Sequence, residues 1–173
     1  MQGIVTTIYG PDVNTDDIIR ADILQETWDK RDFAAYAFDK YDPDFRTRCE
    51  GQTNVIVTGP NFGSGSSREQ AVYAIAYNNV AFVVGERDPV TGTAYPDIFY
   101  RNAMNNGLPL VTLDDIGGIE EGDELSLDLA NEILTNVTKG TDYRFTVPAA
   151  DKALLLAGGI IGMARTDIEK LLA

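Results

Sequence analysis

The chain has 173 residues, of which 44% are hydrophobic and 24% charged, with a formal net charge of −13. That length suits one domain with a real core, and the acidity argues against nucleic acid and anionic membrane as partners, since both require clustered Lys and Arg. A single cysteine, Cys49, excludes an internal disulfide framework and a self-contained iron–sulfur cluster, and the lack of any histidine excludes a Ser-His-Asp triad.

In chain order, Gly3–Tyr9 reads as a strand ended by Gly10-Pro11. The polar run Asn14-Thr15-Asp16-Asp17-Ile18-Ile19 opens the segment to Leu24; its aspartates are also the residue type that caps turns through Asx hydrogen bonds. Trp28–Phe38 reads as a helix with Phe33, Tyr36 and Ala37 on one face, stopped by Asp42-Pro43-Asp44, and Cys49 falls in a polar loop. From Asn54 the pattern alternates: strand Asn54–Thr58, helix Ser67–Asn78, strand Val80–Val84, helix Asp97–Asn106, strand Pro109–Thr112. That βαβαβ rhythm predicts an α/β fold with a parallel sheet and crossover helices. Strands Glu124–Leu129 and Glu132–Val137 form a hairpin, Tyr143–Val147 follows, and helices Ala149–Ala157 and Met163–Leu172 close the chain. No repeat or linker divides residues 1–173, which are read as one domain. The N-terminal residues lack the charged start and apolar core of a signal peptide, and Ala153–Met163 is too short and glycine-rich to span a bilayer. The expectation is a cytoplasmic protein.

Between the second strand and its helix lies Gly59-Pro60-Asn61-Phe62-Gly63-Ser64-Gly65-Ser66-Ser67-Arg68-Glu69. Glycines allow tight turns, a helix start aims free N–H groups at one point, and Arg68 adds a permanent cation, so the loop suits an anion. Ser66 and Glu69 also have the spacing of a capping box, so Ser66 either caps the helix or faces a ligand. Known nucleotide loops fail on spacing. No Lys-Ser/Thr follows the glycines, Arg68 stands where the dinucleotide fingerprint has its third glycine, and Phe62 stands where a nucleophile elbow begins. Ligands of open α/β sheets sit at the carboxyl ends of strands, and a second long polar loop, Gly85–Pro96, follows Val84 at such an end.

The stretch Gly59–Ala71 resembles the signature of the small subunit of 3-isopropylmalate dehydratase, the detached swivel domain of the aconitase family. Asn14–Ile19 resembles that family's N-terminal motif, and Asp97-Ile98-Phe99-Tyr100-Arg101-Asn102 through Pro109 its third, in the same order along nearly the whole chain. The resemblance implies a single aconitase-type swivel domain with a parallel βαβαβ core plus C-terminal strands and helices. It implies a hydro-lyase that isomerises a small 2-hydroxy di- or tricarboxylate by dehydration and rehydration, with 2-isopropylmalate of leucine biosynthesis the leading substrate. Homoaconitase and dimethylmalate-type dehydratase subunits are alternatives, as is a non-catalytic carboxylate-binding regulatory domain. Further implications are residue-specific. Ser66 is the base that takes the carbon-bound proton, the amides of Ser67 and Arg68 stabilise its alkoxide, the Arg68 guanidinium binds a carboxylate, and Asp16 orients an active-site group. No metal or cofactor is implied on this chain; a 4Fe-4S cluster is expected in a separate large subunit, so catalysis requires the heteromer. Self-association of the isolated chain stays open. Departures from the family pattern are Ser64 for Cys, Gln70 for His, Arg20 for Pro, and the longer Gly85–Pro96 loop. In the family, specificity comes largely from the segment matching Ile23–Arg31. There Leu24 and Trp28 would meet an apolar branch, and Arg20, Lys30 and Arg31 a further carboxylate, although Trp28 also reads as helix-start packing.

Overall fold

A computed structural model describes Met1–Leu172. The run Val55-Ile56-Val57 has no polar break, as fits a strand covered on both faces, and β2 (Asn54–Thr58) is buried at every position. It lies between β1 (Gln2–Tyr9) and β3 (Val80–Glu86), parallel to both, and β4 (Leu110–Leu113) extends the parallel set. Beyond β1 the sheet turns antiparallel through β5 (Glu124–Asp128), β6 (Ile133–Asn136) and β7 (Thr141–Arg144), giving the order β4-β3-β2-β1-β5-β6-β7. The alternation of buried and less buried positions in β5 and β6 fits a sheet half with one covered face. The expected α/β fold is present, and β1 joins the parallel core.

Six α-helices accompany the sheet among the described residues: α1 (Thr15–Ile18), α2 (Phe45–Cys49), α3 (Glu69–Ala76), α4 (Asp97–Asn105), α5 (Ala149–Leu156) and α6 (Gly159–Leu172). Where β1 crosses to β2, the helix expected over Trp28–Phe38 is absent. Short 3-10 turns at Ala21–Gln25 and Asp32–Tyr36 take its place. Local side-chain bonds compete with helix here: the Arg31 N–H donates to Asp29 Oδ1, the Asp29 N–H to Thr27 Oγ1, and the Thr27 hydroxyl to Asp32. Phe33 and Ala37 are buried as the apolar face predicts, with Phe33 stacked on Tyr73 of α3. Trp28, at 93% exposed, packs against nothing, which corrects the packing reading. Cys49 is also corrected: it ends α2 and is buried, and burial pushes its thiol up to about 12. Helix α6 starts four residues before Met163, because Gly158 and Gly159, both at positive φ, make the turn and the helix resumes at once.

An aromatic cluster ties the crossover to the site. Phe38 lies 5.0 Å from Tyr9 of β1 and 4.7 Å from Phe45 of α2 between ring centres, and Phe62 lies 5.6 Å from Phe99 of α4. At its edge the Tyr9 hydroxyl donates to Asp42 at 2.8 Å and Arg48 donates to the same carboxylate at 3.1 Å. Burial disfavours the Asp42 charge, but the bonds from Arg48 and Tyr9 outweigh it and hold the carboxyl below its ordinary value of 3.8. A depressed carboxyl stabilises the fold above that ordinary value and loses its contribution as pH falls through the folded value. Asp42→Asn should therefore cost about 1–2 kcal/mol at neutral pH. The gap to wild type should narrow as pH falls below that ordinary value of 3.8, which urea unfolding at neutral and acidic pH checks.

Candidate functional site

Because β1 and β2 are parallel neighbours, their carboxyl ends meet, and the loops that follow run side by side. The Asp12 N–H donates to the Pro60 carbonyl at 2.9 Å, Gly63 to Val13 at 2.7 Å, and Thr15 to Ser64 at 2.8 Å. Asn14 and Ser64 pair as a parallel bridge, so two motifs far apart in sequence are stitched as though the strands continued. A Cβ on Gly59 would lie 2.7 Å from the Pro11 nitrogen, so only glycine allows the loops to approach this closely.

The capping box expected at Ser66 lies instead at Asn14. The Asn14 side chain accepts the N–H groups of Asp16 and Asp17 at 2.8 and 3.0 Å, and Asp17 Oδ2 accepts the Asn14 N–H at 2.9 Å. Asp17 is thereby a cap. Asp16 is left free to pair with Arg68 at 2.5 Å, and Arg68 Nη1 also donates to the Ile19 carbonyl at 3.2 Å. Two residues singled out in separate motifs are thus in direct contact.

Ser66 is held by its backbone. Its N–H donates to Thr15 Oγ1 at 3.1 Å and its carbonyl accepts the Arg68 N–H at 2.8 Å. The residue preceding α3 is Arg68, with no side-chain cap, so the Ser66 hydroxyl serves no helix. The Arg68 N–H, expected to face a Ser66 alkoxide, donates here to the Ser66 carbonyl. Among the described residues, the amides of Ser67, Glu69 and Gln70 have no protein acceptor, as expected at an uncapped helix start. Ser66 and Ser67 are exposed and line a cavity of about 310 Å³ with Gly63, Gly65 and the start of α4, including Asp97 and Ile98, a volume within the range of small-ligand sites. Phe99 lies under Gly63, which has φ +82, and this contact joins the third motif to the signature loop.

A second cavity, of about 620 Å³, includes Asp16 and Asp17 with Arg20, Lys40 and Tyr41. Arg20 is occupied there by two carboxylates, Asp22 at 2.7 Å and Asp39, and its hydrogen bonds hold the Asp22 carboxyl at about 2. Leu24 packs partly buried on the core, while Trp28 and Arg31 are exposed, and none of the three lines either cavity. The structure therefore brings Asp16, Ser66, Ser67 and Arg68 together, sets Arg20 in the adjoining cavity, and leaves Leu24, Trp28 and Arg31 apart. Sequence reasoning missed Thr15, the clamp on Ser66, and Ile98. The fully polar neighbourhood of Thr15 was its one signal, and Ile98 had none, since its α4 position reads as an ordinary exposed site.

A four-iron cluster does not fit these residues. The one cysteine is buried near the start of β2, at the opposite end from the signature loop, and the described residues contain no group of three or more His, Cys, Asp or Glu able to hold a metal. Among them, no helix is long and apolar enough to cross a membrane.

Residues 13–115, which contain all three motifs, match the Aconitase C-terminal domain family. The chain is 39% identical to the 3-isopropylmalate dehydratase small subunit of Nautilia profundicola over 94% of this chain and 93% of that protein. Its identity to the small subunit of Caldanaerobacter subterraneus is 36%, covering 93% and 96%. The crystal structure of 3-isopropylmalate dehydratase from Methanocaldococcus jannaschii has the same fold, with a TM-score of 0.82 at 32% identity over 99% of this chain and 98% of that one. The stitched loops thus lie in a chain matched over most of its length in sequence and fold, and it belongs to the 3-isopropylmalate dehydratase small subunits of the aconitase family.

Proposed function

We propose that the chain is the small subunit of a heteromeric hydro-lyase that converts 2-isopropylmalate to 3-isopropylmalate in leucine biosynthesis, in the cytoplasm, as one swivel domain over residues 1–173. The names and coverage of its relatives support the substrate. The observation that carries the mechanism is Ser66, whose hydroxyl caps nothing and whose backbone is clamped by Thr15 at the edge of a ligand-sized cavity.

In dehydration, Ser66 Oγ takes the proton from the carbon next to a carboxylate, the C–H electron pair becomes the new double bond, and hydroxide leaves the neighbouring carbon. Rehydration adds hydroxide to the carbon that lost the proton, and the double-bond electron pair takes the proton back at the carbon that lost the hydroxyl. A serine alkoxide is a usable base near neutral pH only where positive potential stabilises it. The free amides of Ser67, Glu69 and Gln70 and the positive end of α3 supply that potential. Arg68 offers a substrate carboxylate its Nε and Nη2 edge, since its one protein-bonded atom among the described residues is Nη1, held by Asp16 and Ile19. Asp16 thus positions the guanidinium. The described residues include no group of three or more His, Cys, Asp or Glu able to hold a metal, so assistance to the leaving hydroxyl is assigned to the large subunit, the proposed carrier of the 4Fe-4S cluster.

The test is reconstitution. The chain alone should turn over nothing, and with a large subunit it should turn over isopropylmalate in a panel with dimethylmalate, citrate and homocitrate. Apolar pockets separate neighbouring branches by only about 1–3 kcal/mol per methylene, so dimethylmalate should react more slowly rather than not at all. Preference for a tricarboxylate would overturn the substrate. Turnover by the chain alone, or iron bound to it in stoichiometric amount, would overturn the division of labour.

A further inference from the structure

Helix α6 is a part of the fold that the chain itself leaves uncovered. Gly158 and Gly159, at φ +80 and +86, turn the chain after α5, and a Cβ on Gly159 would lie 2.5 Å from the Asn105 carbonyl oxygen. The first turn of α6 is thereby pinned to the C-terminal end of α4. Gly162 and Met163 are half-buried, and every residue from Ala164 to Leu172 is exposed. A helix of this length is marginal in water unless one face is packed. The exposed part is nonetheless apolar: Ile161 is 64% exposed, Ile168 56%, Leu171 85% and Leu172 84%. At 100° per residue these side chains and Ala164 form one stripe, and an apolar cavity of about 440 Å³ lies along it. Arg165 and Glu169 lie to one side of the stripe and Asp167 to the other, with Lys170 on the far face paired to Asp167 at 3.6 Å, so this helix is neutral in a chain of net charge −13.

We propose that the stripe seats a second copy of this chain, with the two α6 helices antiparallel about a two-fold axis near Ile168. Such an axis sets each flank of the helix against the same flank of the other copy, so the contact must be self-complementary. It is: Arg165 meets Glu169 of the second copy, Ala164 meets Leu171, and Ile168 meets itself. Two further observations favour a second copy over the large subunit. The cavity beside Ser66 lies at the N-terminal end of α4, whereas α6 is seated at its C-terminal end, so the face that completes the proposed active site is a different one. A neutral patch is also where two strongly acidic chains approach with least repulsion. A contact confined to one helix about 21 Å long sits at the low end of stable interfaces, so the dimer should be micromolar.

Sedimentation of the full chain from about 1 to 100 μM tests this. The mass should rise from 18.9 kDa towards twice that value with concentration. Ile168→Asp should stay monomeric throughout with an unchanged circular dichroism spectrum, since Ile168 is 56% exposed and lies outside the buried core. Arg165→Glu and Glu169→Arg should each weaken the dimer about tenfold, and the double variant should recover to within about threefold of wild type. A monomeric wild type at the highest concentration, a dimeric Ile168→Asp, or a double variant as weak as either single one would overturn the proposal. So would loss of large-subunit binding in Ile168→Asp with no change in self-association.

Discussion

Ser66→Ala is expected to lower turnover of the reconstituted complex by about a hundred-fold or more, because the proton transfer loses its base. Fold and partner binding should be unchanged. Truncating a capping serine usually costs about 1 kcal/mol, but Ser66 does not cap α3, and the bonds that hold it run through its backbone N–H and carbonyl. Thermal unfolding of the variant should therefore overlay wild type while steady-state kcat collapses. A turnover within a few-fold of wild type would remove Ser66 from the chemistry. A fall in stability with kcat preserved would make its hydroxyl structural after all.

Gly63→Val should destabilise the chain by roughly 2–5 kcal/mol, a large share of the about 5–15 kcal/mol that holds a domain folded. Two costs add. The residue has φ +82, where a β-branched side chain is strongly disfavoured, and a Cβ there would sit 2.2 Å from Phe99 Cγ. Phe99 has little room to yield, since it is buried and packed edge-on against Phe62. The two parts separate in a double-mutant cycle: in a Phe99→Ala background the steric part disappears and the backbone part stays, so Gly63→Val should cost less there. Equal costs in both backgrounds, read from urea unfolding, would show that the Phe99 contact is not what makes position 63 a glycine.

Much of the sheet was legible because its signals are local. The unbroken apolar run Val55–Val57, the alternation from β2 to β4, and the turn between β5 and β6 at Ala130-Asn131 each follow from a handful of neighbouring residues. The failures came where tertiary contact overrides local pattern. Phe33, Tyr36 and Ala37 have helical spacing, yet Thr27, Asp29 and Asp32 close their own turns, and Phe33 and Ala37 are buried, with Tyr36 partly buried, without an α-helix. Cys49 has polar neighbours in sequence and lies in the core because α2 lays it against the start of β2.

The site divides in the same way. By itself the sequence determined that a glycine-rich turn with Ser66, Ser67 and Arg68 opens a helix at a strand end, and that a chain with one Cys and no His lacks part of an aconitase-type centre. Those conclusions depend on residue types and short spacings, which carry their physics wherever the chain goes. Only the tertiary structure decided that Asp17 caps while Asp16 holds Arg68, that Thr15 rather than a helix holds Ser66, and that Arg20 is occupied by Asp22 and Asp39. The Arg68, Ser66 and Asp39 partnerships cross between segments, and the two aspartates of the N-terminal motif are adjacent side chains of equal chemistry. The parallel pairing of β1 and β2, which brings the two loops together, makes the selection, and no local spacing encodes it.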